Sequence, residues 1–167
     1  MGSLALSRPV PSIHKMPTIR LLPSLLSADF ARLAEELAAC KQAGASMLHV
    51  DVMDGHFVPN LTFGPFIVEA MRRSTDLFLD VHLMMTDPQK YIEAFRKAGS
   101  DAITVHVEAV GQRQLEQVIN QIRASGAQVG LALNPDTDPE LWFWAFAKVD
   151  LVMFMTVYPG FGGQAFI

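Results

Sequence analysis

From Leu21 onward, two hydrophobic periods alternate along the chain. Short runs rich in Leu, Ile, Val and Met end near Leu25, Asp51, Leu83, His106, Leu133 and Thr156, as expected of strands. Between them apolar residues recur at three- and four-residue spacings, the period of a helix packed on one side. Asp29 is placed to cap one such helix, with Leu33 and Leu37 one turn apart. Gly44 and Gly99 follow helical stretches, where C-terminal caps are expected, and Pro65 and Pro88 stand where first turns begin. Gln112 to Ala124 reads as another helix with Leu115, Ile119 and Ile122 on one side, and Asp138-Pro139-Glu140 opens a fifth.

The predicted strand ends fall about 23 to 32 residues apart, the size of a βα unit and too uneven for a solenoid repeat. The alternation predicts an α/β fold with a parallel sheet and helices outside it. After the first strand the chain reads Leu26-Ser27-Ala28-Asp29, without the Gly-x-Gly-x-x-Gly turn of a dinucleotide fold, which favours a (β/α)8 barrel. Complete barrels of this kind need more than about 200 residues. With 167 residues the expectation is an incomplete barrel of about six units out of eight, cut off at its C-terminus.

Composition narrows the class. Half the residues are hydrophobic and 18% are charged, which excludes a disordered chain. The formal net charge of −4 gives no basic excess for nucleic acid or an anionic membrane, and no apolar run reaches the length of a membrane span. The single cysteine, Cys40, excludes an intrachain disulfide and a cysteine-based metal cluster. Residues 1–20 read as a leader, with Met16 as the expected natural start, and residues 21–167 as the partial barrel. A short organelle transit peptide is the alternative, because Arg8, Lys15 and Arg20 all precede the first acidic residue, Asp29.

Ligands of a barrel gather at the C-terminal ends of its strands. There, alternation places His49 with Asp51, Asp80 with His82, and His106 with Glu108, each pair on one strand face. Polar groups inside a barrel cost about 1–3 kcal/mol each if unpaired, so three such pairs on successive strands mark a site. One pair alone would read as a satisfied core histidine. Imidazole and carboxylate together suit zinc, iron, cobalt or manganese, and the pattern leaves the choice among them open. His56 and His14 lie in a loop and in the leader and are expected to be solvated.

Tyr158-Pro159-Gly160-Phe161-Gly162-Gly163-Gln164 follows the last predicted strand and holds no Lys or Arg. Its glycines allow backbone N–H groups to approach an anion, or mark a flexible turn. Met53, Met84, Met85 and Met155 stand at or just past strand ends, where thioethers form an adaptable apolar lining or fill core. Lys41, Lys90 and Lys97 fall in helices and Lys148 before a strand, so a Schiff-base lysine is not supported. Asp101 and Asp150 fall at strand starts, the stability end of a barrel.

These residues resemble the ribulose-phosphate 3-epimerase family. The matching segments are Pro23–Phe30, His49–Asn60, Asp80–Met84, Asn134-Pro135 and Met155–Gln164, and the similarity runs from Leu21 to Ile167. The resemblance implies a TIM barrel that interconverts D-ribulose 5-phosphate and D-xylulose 5-phosphate with one divalent metal ion. It implies that His49, Asp51 and His82 are metal ligands, that Asp51 is also a catalytic acid/base, and that Ser24 and His82 contact substrate. It further implies that Gly160, Phe161, Gly162 and Gly163 line a phosphate site and that Met53, Met84 and Met155 cap the reacting carbons. Inverting C3 calls for a metal to stabilise the enediolate and for an acid/base group on each face.

The family's second such group, in a Val-Asp-Gly-Gly motif ending strand seven, has no counterpart in this chain. The 167-residue chain is therefore expected to have negligible epimerase activity. Tyr158 also departs from the Asn, Asp or Glu common in the family at that place. The alternatives are a hexose-phosphate relative acting on allulose 6-phosphate, disfavoured by the complete Gly-Phe-Gly-Gly loop, and a truncated non-catalytic fragment. The phosphate-sugar decarboxylases are set aside, because strand three lacks their lysine. The expected partner is a small sugar phosphate, with a homo-oligomer at full length and a cytoplasmic setting, a plastid being the weaker alternative.

Overall fold

The computed structural model describes residues 19–167; most of the predicted leader, with His14 and the expected start Met16, lies outside them. Five strands, β1 (Met47–Met53), β2 (Phe78–Met84), β3 (Ala102–His106), β4 (Gln128–Leu133) and β5 (Leu151–Phe154), form one sheet in chain order. Every neighbouring pair is parallel. The helices are α1 (Leu33–Gln42), α2 (Pro65–Ser74), α3 (Ile92–Ala98), α4 (Val107–Val110), α5 (Gln112–Ala124) and α6 (Phe143–Phe146). The result is an arc of an incomplete α/β barrel.

Alternation along each strand builds two different faces. Leu48, Val50, Leu79, Val81, Ile103, Val129 and Leu131 share the outer face and are fully buried in one cluster with helix residues. The helices answer with Leu37, Val68, Met71, Phe95, Leu115, Ile119 and Ile122. Each such side chain contributes about 1.5–3 kcal/mol on burial, so the helix-facing layer holds the arc together. The inner face is polar and narrow: His49, Asp51, Asp80, His82, Thr104, His106 and Gly130 follow one another across the ladders.

Gly130 is required by close approach. A Cβ built there meets Thr104 Oγ1 at 2.1 Å, so any side chain at that position displaces the threonine. At the opposite end, Asp101 accepts the Leu79 backbone N–H and an Arg72 N–H, both at 2.9 Å, and Asp150 accepts the Val129 N–H at 2.9 Å. These two carboxylates fasten strand starts, the role expected of that end.

The structure departs from the expected elements where side chains compete with regular backbone. The first predicted strand is a single bridge, Ser24 to His49. Pro23 offers its carbonyl to the His49 N–H but has no N–H to return. Ser24 Oγ then accepts the Leu26 N–H and caps a 3-10 turn at Leu25–Ser27, which turns the chain away. Asp29 likewise caps a 3-10 turn, Phe30–Arg32, and α1 begins only at Leu33. Pro88 and Asp138-Pro139 open 3-10 turns rather than α-helices, and the latter continues into α6, a single turn. Gln112–Ala124 is the helix that the periodicity predicted, and Gly99 caps α3 with a φ of 110°. Glu108 lies in the first turn of α4, because the chain coils immediately after His106. No helix among the described residues is long and apolar enough to cross a membrane.

Candidate active site

The β1–β2 register sets His49 opposite Asp80 and Asp51 opposite His82. All four point to the inner face, so two neighbouring strands bring three potential ligands together. His49 Nε2 lies 3.2 Å from Asp51 Oδ1 and 3.3 Å from His82 Nδ1, and His82 Nδ1 lies 3.1 Å from Asp51 Oδ1. Ligands bound at about 2.1 Å stand about 3.0 Å apart at octahedral angles and about 3.4 Å apart at tetrahedral ones. The observed triangle falls between these values, and the donor set of two imidazoles and a carboxylate fits a divalent transition metal.

The far side of each ligand is also held. His49 Nδ1 faces Asp80 Oδ2 at 3.0 Å, and the Thr104 hydroxyl donates to Asp80 Oδ1 at 2.8 Å. His82 Nε2 faces His106 Nε2 at 2.9 Å, and His106 Nδ1 faces Glu108 Oε2 at 3.0 Å. The Ser24 hydroxyl donates to Asp51 Oδ2 at 2.5 Å. Such outer partners orient metal-binding imidazoles and fix their tautomers.

The electrostatics follow from this packing. Burial opposes charge on His49, yet the hydrogen bonds to Asp51 and Asp80 outweigh it and lift its pKa to about 10. Burial would raise Asp51, but His49 and His82 hold it well below the carboxylate range. Asp80 is buried too and is lowered by His49 and by the Thr104 hydroxyl. Burial pulls His82 down to about 4, opposed by Asp51 and reinforced by the neighbouring His49 and His106. At neutral pH the triangle therefore holds one proton, on His49.

Above the triangle opens a cavity of about 310 Å³. Ser24, His49, Asp51 and His82 form its floor, Met53, Met84 and Met155 its wall, and Gly160, Phe161, Gly162 and Gly163 its rim. The structure thus gathers Ser24, His49, Asp51, His82, these methionines and the glycine loop around one cavity, with Asp80, His106 and Glu108 behind its floor rather than on it. Met53 and Met84 are buried, whereas Phe161 is exposed. Asn60 Nδ2 donates to the Gly160 carbonyl at 2.7 Å, and Gln164 Nε2 donates to the carbonyls of Tyr158 and Phe161. No Lys or Arg lines the cavity, so an anion at the rim meets neutral donors, the backbone amides of the glycine loop among them. His56 stays outside, exposed and bonded to the Asp54 carbonyl, and Met85 is packed in the core.

Met153 also lines the cavity and was not singled out from the sequence, although alternation with Met155 was a signal for it. Asp80, paired from the sequence with His82, and Thr104, which leaves no sequence signal beyond its inward-facing position, act from beneath the floor. A larger cavity, about 570 Å³, lies between residues 19–23 and α1. Its ionisable side chains, Arg20, Glu36 and Cys40, form no ligand set.

An arc of consecutive parallel β/α units, with a His–Asp–His set at the C-terminal ends of its strands, defines the class: an α/β-barrel protein whose site can hold a metal ion. Solved structures agree on the fold. A tryptophan synthase α-subunit variant from Pyrococcus furiosus superposes with a TM-score of 0.63 at 15% identity, covering 81% of this chain and 64% of that one. The chain belongs to the ribulose-phosphate 3-epimerase family, whose profile matches residues 20–167. It is 52% identical over 149 residues to ribulose-phosphate 3-epimerase of Bacillus subtilis, covering 89% of this chain and 68% of that protein. Identity to the Synechocystis enzyme of the same name is also 52%, with 89% and 65% covered. The chloroplastic ribulose-5-phosphate-3-epimerase of Arabidopsis thaliana is 50% identical over 145 residues, with 87% and 52% covered. The chain therefore spans between half and about two thirds of the length of these relatives.

Proposed function

We propose that this site serves 3-epimerisation of a pentulose phosphate, the interconversion of D-ribulose 5-phosphate and D-xylulose 5-phosphate. The observation that carries the reading is the convergence of His49 Nε2, Asp51 Oδ1 and His82 Nδ1 beneath a methionine-walled cavity with a glycine rim. When bound by these three residues, a divalent cation supplies positive charge beside the substrate oxygens on which enediolate charge develops.

The two oxygens of Asp51 take different work. Oδ1 faces the histidines, and Oδ2, steadied by the Ser24 hydroxyl, is the atom free to take and return the C3 proton. Met53, Met84 and Met155 exclude water from the reacting carbons, and the amides around Gly160–Gly163 receive the phosphate. Asp51 is the one carboxylate among the residues lining the cavity. The reading includes a sugar-phosphate partner, a zinc, iron, cobalt or manganese ion, and a cytoplasmic or plastid setting.

The test is proton NMR of D-ribulose 5-phosphate and D-xylulose 5-phosphate in D2O with the metal-loaded chain. A single acid/base exchanges the C3 hydrogen of one substrate for deuterium and inverts it slowly or not at all. Metal-loaded protein that exchanges neither substrate overturns the proposal.

A further inference from the structure

The string from Glu108 to His82 leaves each of its ring nitrogens one direction of hydrogen bond. Glu108 Oε1 accepts the Asn134 backbone N–H at 2.8 Å and the Thr137 hydroxyl. Its other oxygen faces His106 Nδ1 at 3.0 Å. A carboxylate only accepts, so His106 carries its hydrogen on Nδ1 and keeps a lone pair on Nε2. That lone pair faces His82 Nε2 at 2.9 Å, so His82 donates from Nε2. The unprotonated nitrogen of a neutral His82 is then Nδ1, the atom 3.1 Å from Asp51 Oδ1 and 3.3 Å from His49 Nε2.

The rings have little freedom to do otherwise. His82 and His106 are 1% and 0% exposed and stack at 24° with centroids 4.9 Å apart. Phe57 also packs against His106, with ring centroids 4.8 Å apart. In the opposite tautomer His82 would donate from Nδ1 to Asp51, putting a hydrogen where the ligand lone pairs meet.

We propose that Glu108 and His106 are positioning residues that select the tautomer of His82 and so present its Nδ1 lone pair to a divalent cation. This rests on the metal reading above. His49 has an equivalent in Asp80, so each imidazole of the triangle is set by its own carboxylate, one directly and one through a second histidine.

The test uses the 167-residue chain labelled with 15N-histidine, metal-free and zinc-loaded, with His106→Gln and His106→Phe variants. Two-dimensional 1H–15N NMR reads the imidazole tautomers, and competition with a chelator reads zinc affinity. Metal-free wild type is expected to hold its hydrogen on His82 Nε2, and zinc to shift the Nδ1 resonance. In His106→Gln the new side-chain amide can accept from His82 and donate to Glu108, so this variant is expected to bind zinc within about threefold of wild type. His106→Phe, which keeps a ring but no acceptor, is expected to weaken zinc binding by about 10–100-fold and to lose the single tautomer.

A wild-type His82 protonated on Nδ1 overturns the proposal, whether or not either variant folds. So does undiminished zinc affinity in His106→Phe. An equal loss in both variants also overturns it, since that outcome marks packing rather than hydrogen-bond polarity. If wild type takes up no zinc while His82 is protonated on Nε2, the metal reading fails and the tautomer selection stands.

Discussion

Asp80 lies beneath the cavity floor, yet its charge governs what His49 does. It is 1% exposed and bonded to both His49 and Thr104. In the metal-free protein the His49 pKa of about 10 lies above the ordinary 6.5. Its charge therefore stabilises the fold fully below pH 6.5, and that contribution fades as pH rises toward 10. Asp80→Asn keeps the shape and removes one of the two charges responsible. The His49 titration midpoint is expected to fall by about one to three pH units, as read by NMR, and the stability lost between pH 7 and 10 to shrink with it. An unchanged midpoint would assign the effect to Asp51 alone. Alternation along the strands gave the inward positions of these residues, and the type pattern gave a metal site. It paired Asp80 with His82 on its own strand, however, whereas the contact that matters runs across the ladder to His49. Which neighbours touch depends on register, and register is set by long-range pairing that no local window contains.

At the scale of elements, two small devices keep the strand ends in place. Gly130 leaves room for the Thr104 hydroxyl to reach Asp80. Gly130→Ala forces that hydroxyl away and is expected to cost about 1–3 kcal/mol in urea denaturation, with loss of the Thr104 bond. Asp54 fastens the loop after β1 by accepting the backbone N–H groups of His56, Phe57 and Thr86. Burial opposes the carboxylate, but these three donors together outweigh it and hold its pKa below the usual 3.8. Its contribution is present above pH 3.8 and is lost as pH falls through the lower folded value. Asp54→Asn is thus expected to lower the urea midpoint at pH 6 and to converge with wild type as pH falls from 3.8 through the lower folded value. The central strands and α5 were legible because their apolar runs and periods are undisturbed. The first strand and the helix after Asp138 were not, because Ser24 and Asp138 cap 3-10 turns that compete with regular extension.

Across the whole molecule the arc has an edge strand, β5, hydrogen-bonded to β4 on one side. Phe154 at its end is 58% exposed, and Phe143 and Trp144 of α6 are exposed with it. An apolar edge with free backbone groups invites pairing between chains. Phe154→Lys is expected to reduce concentration-dependent association in sedimentation velocity. It also forfeits an edge-to-face contact with Phe146, worth about 0.5–1.5 kcal/mol of stability. Unchanged association would place the sticky surface elsewhere, as at the exposed Phe166 and Ile167.

All three atoms of the proposed metal triangle come from β1 and β2, adjacent strands whose paired residues Asp51 and His82 are separated by a single helical connection. Nothing from β4 or β5 enters the triangle. Convergence of these atoms is therefore one event in refolding, the zipping of the first ladder, and the setting of His82 by His106 of β3 is a second. A paramagnetic or coloured ion added during refolding becomes a clock for those two ladders, its uptake tightening once β3 brings His106 against His82.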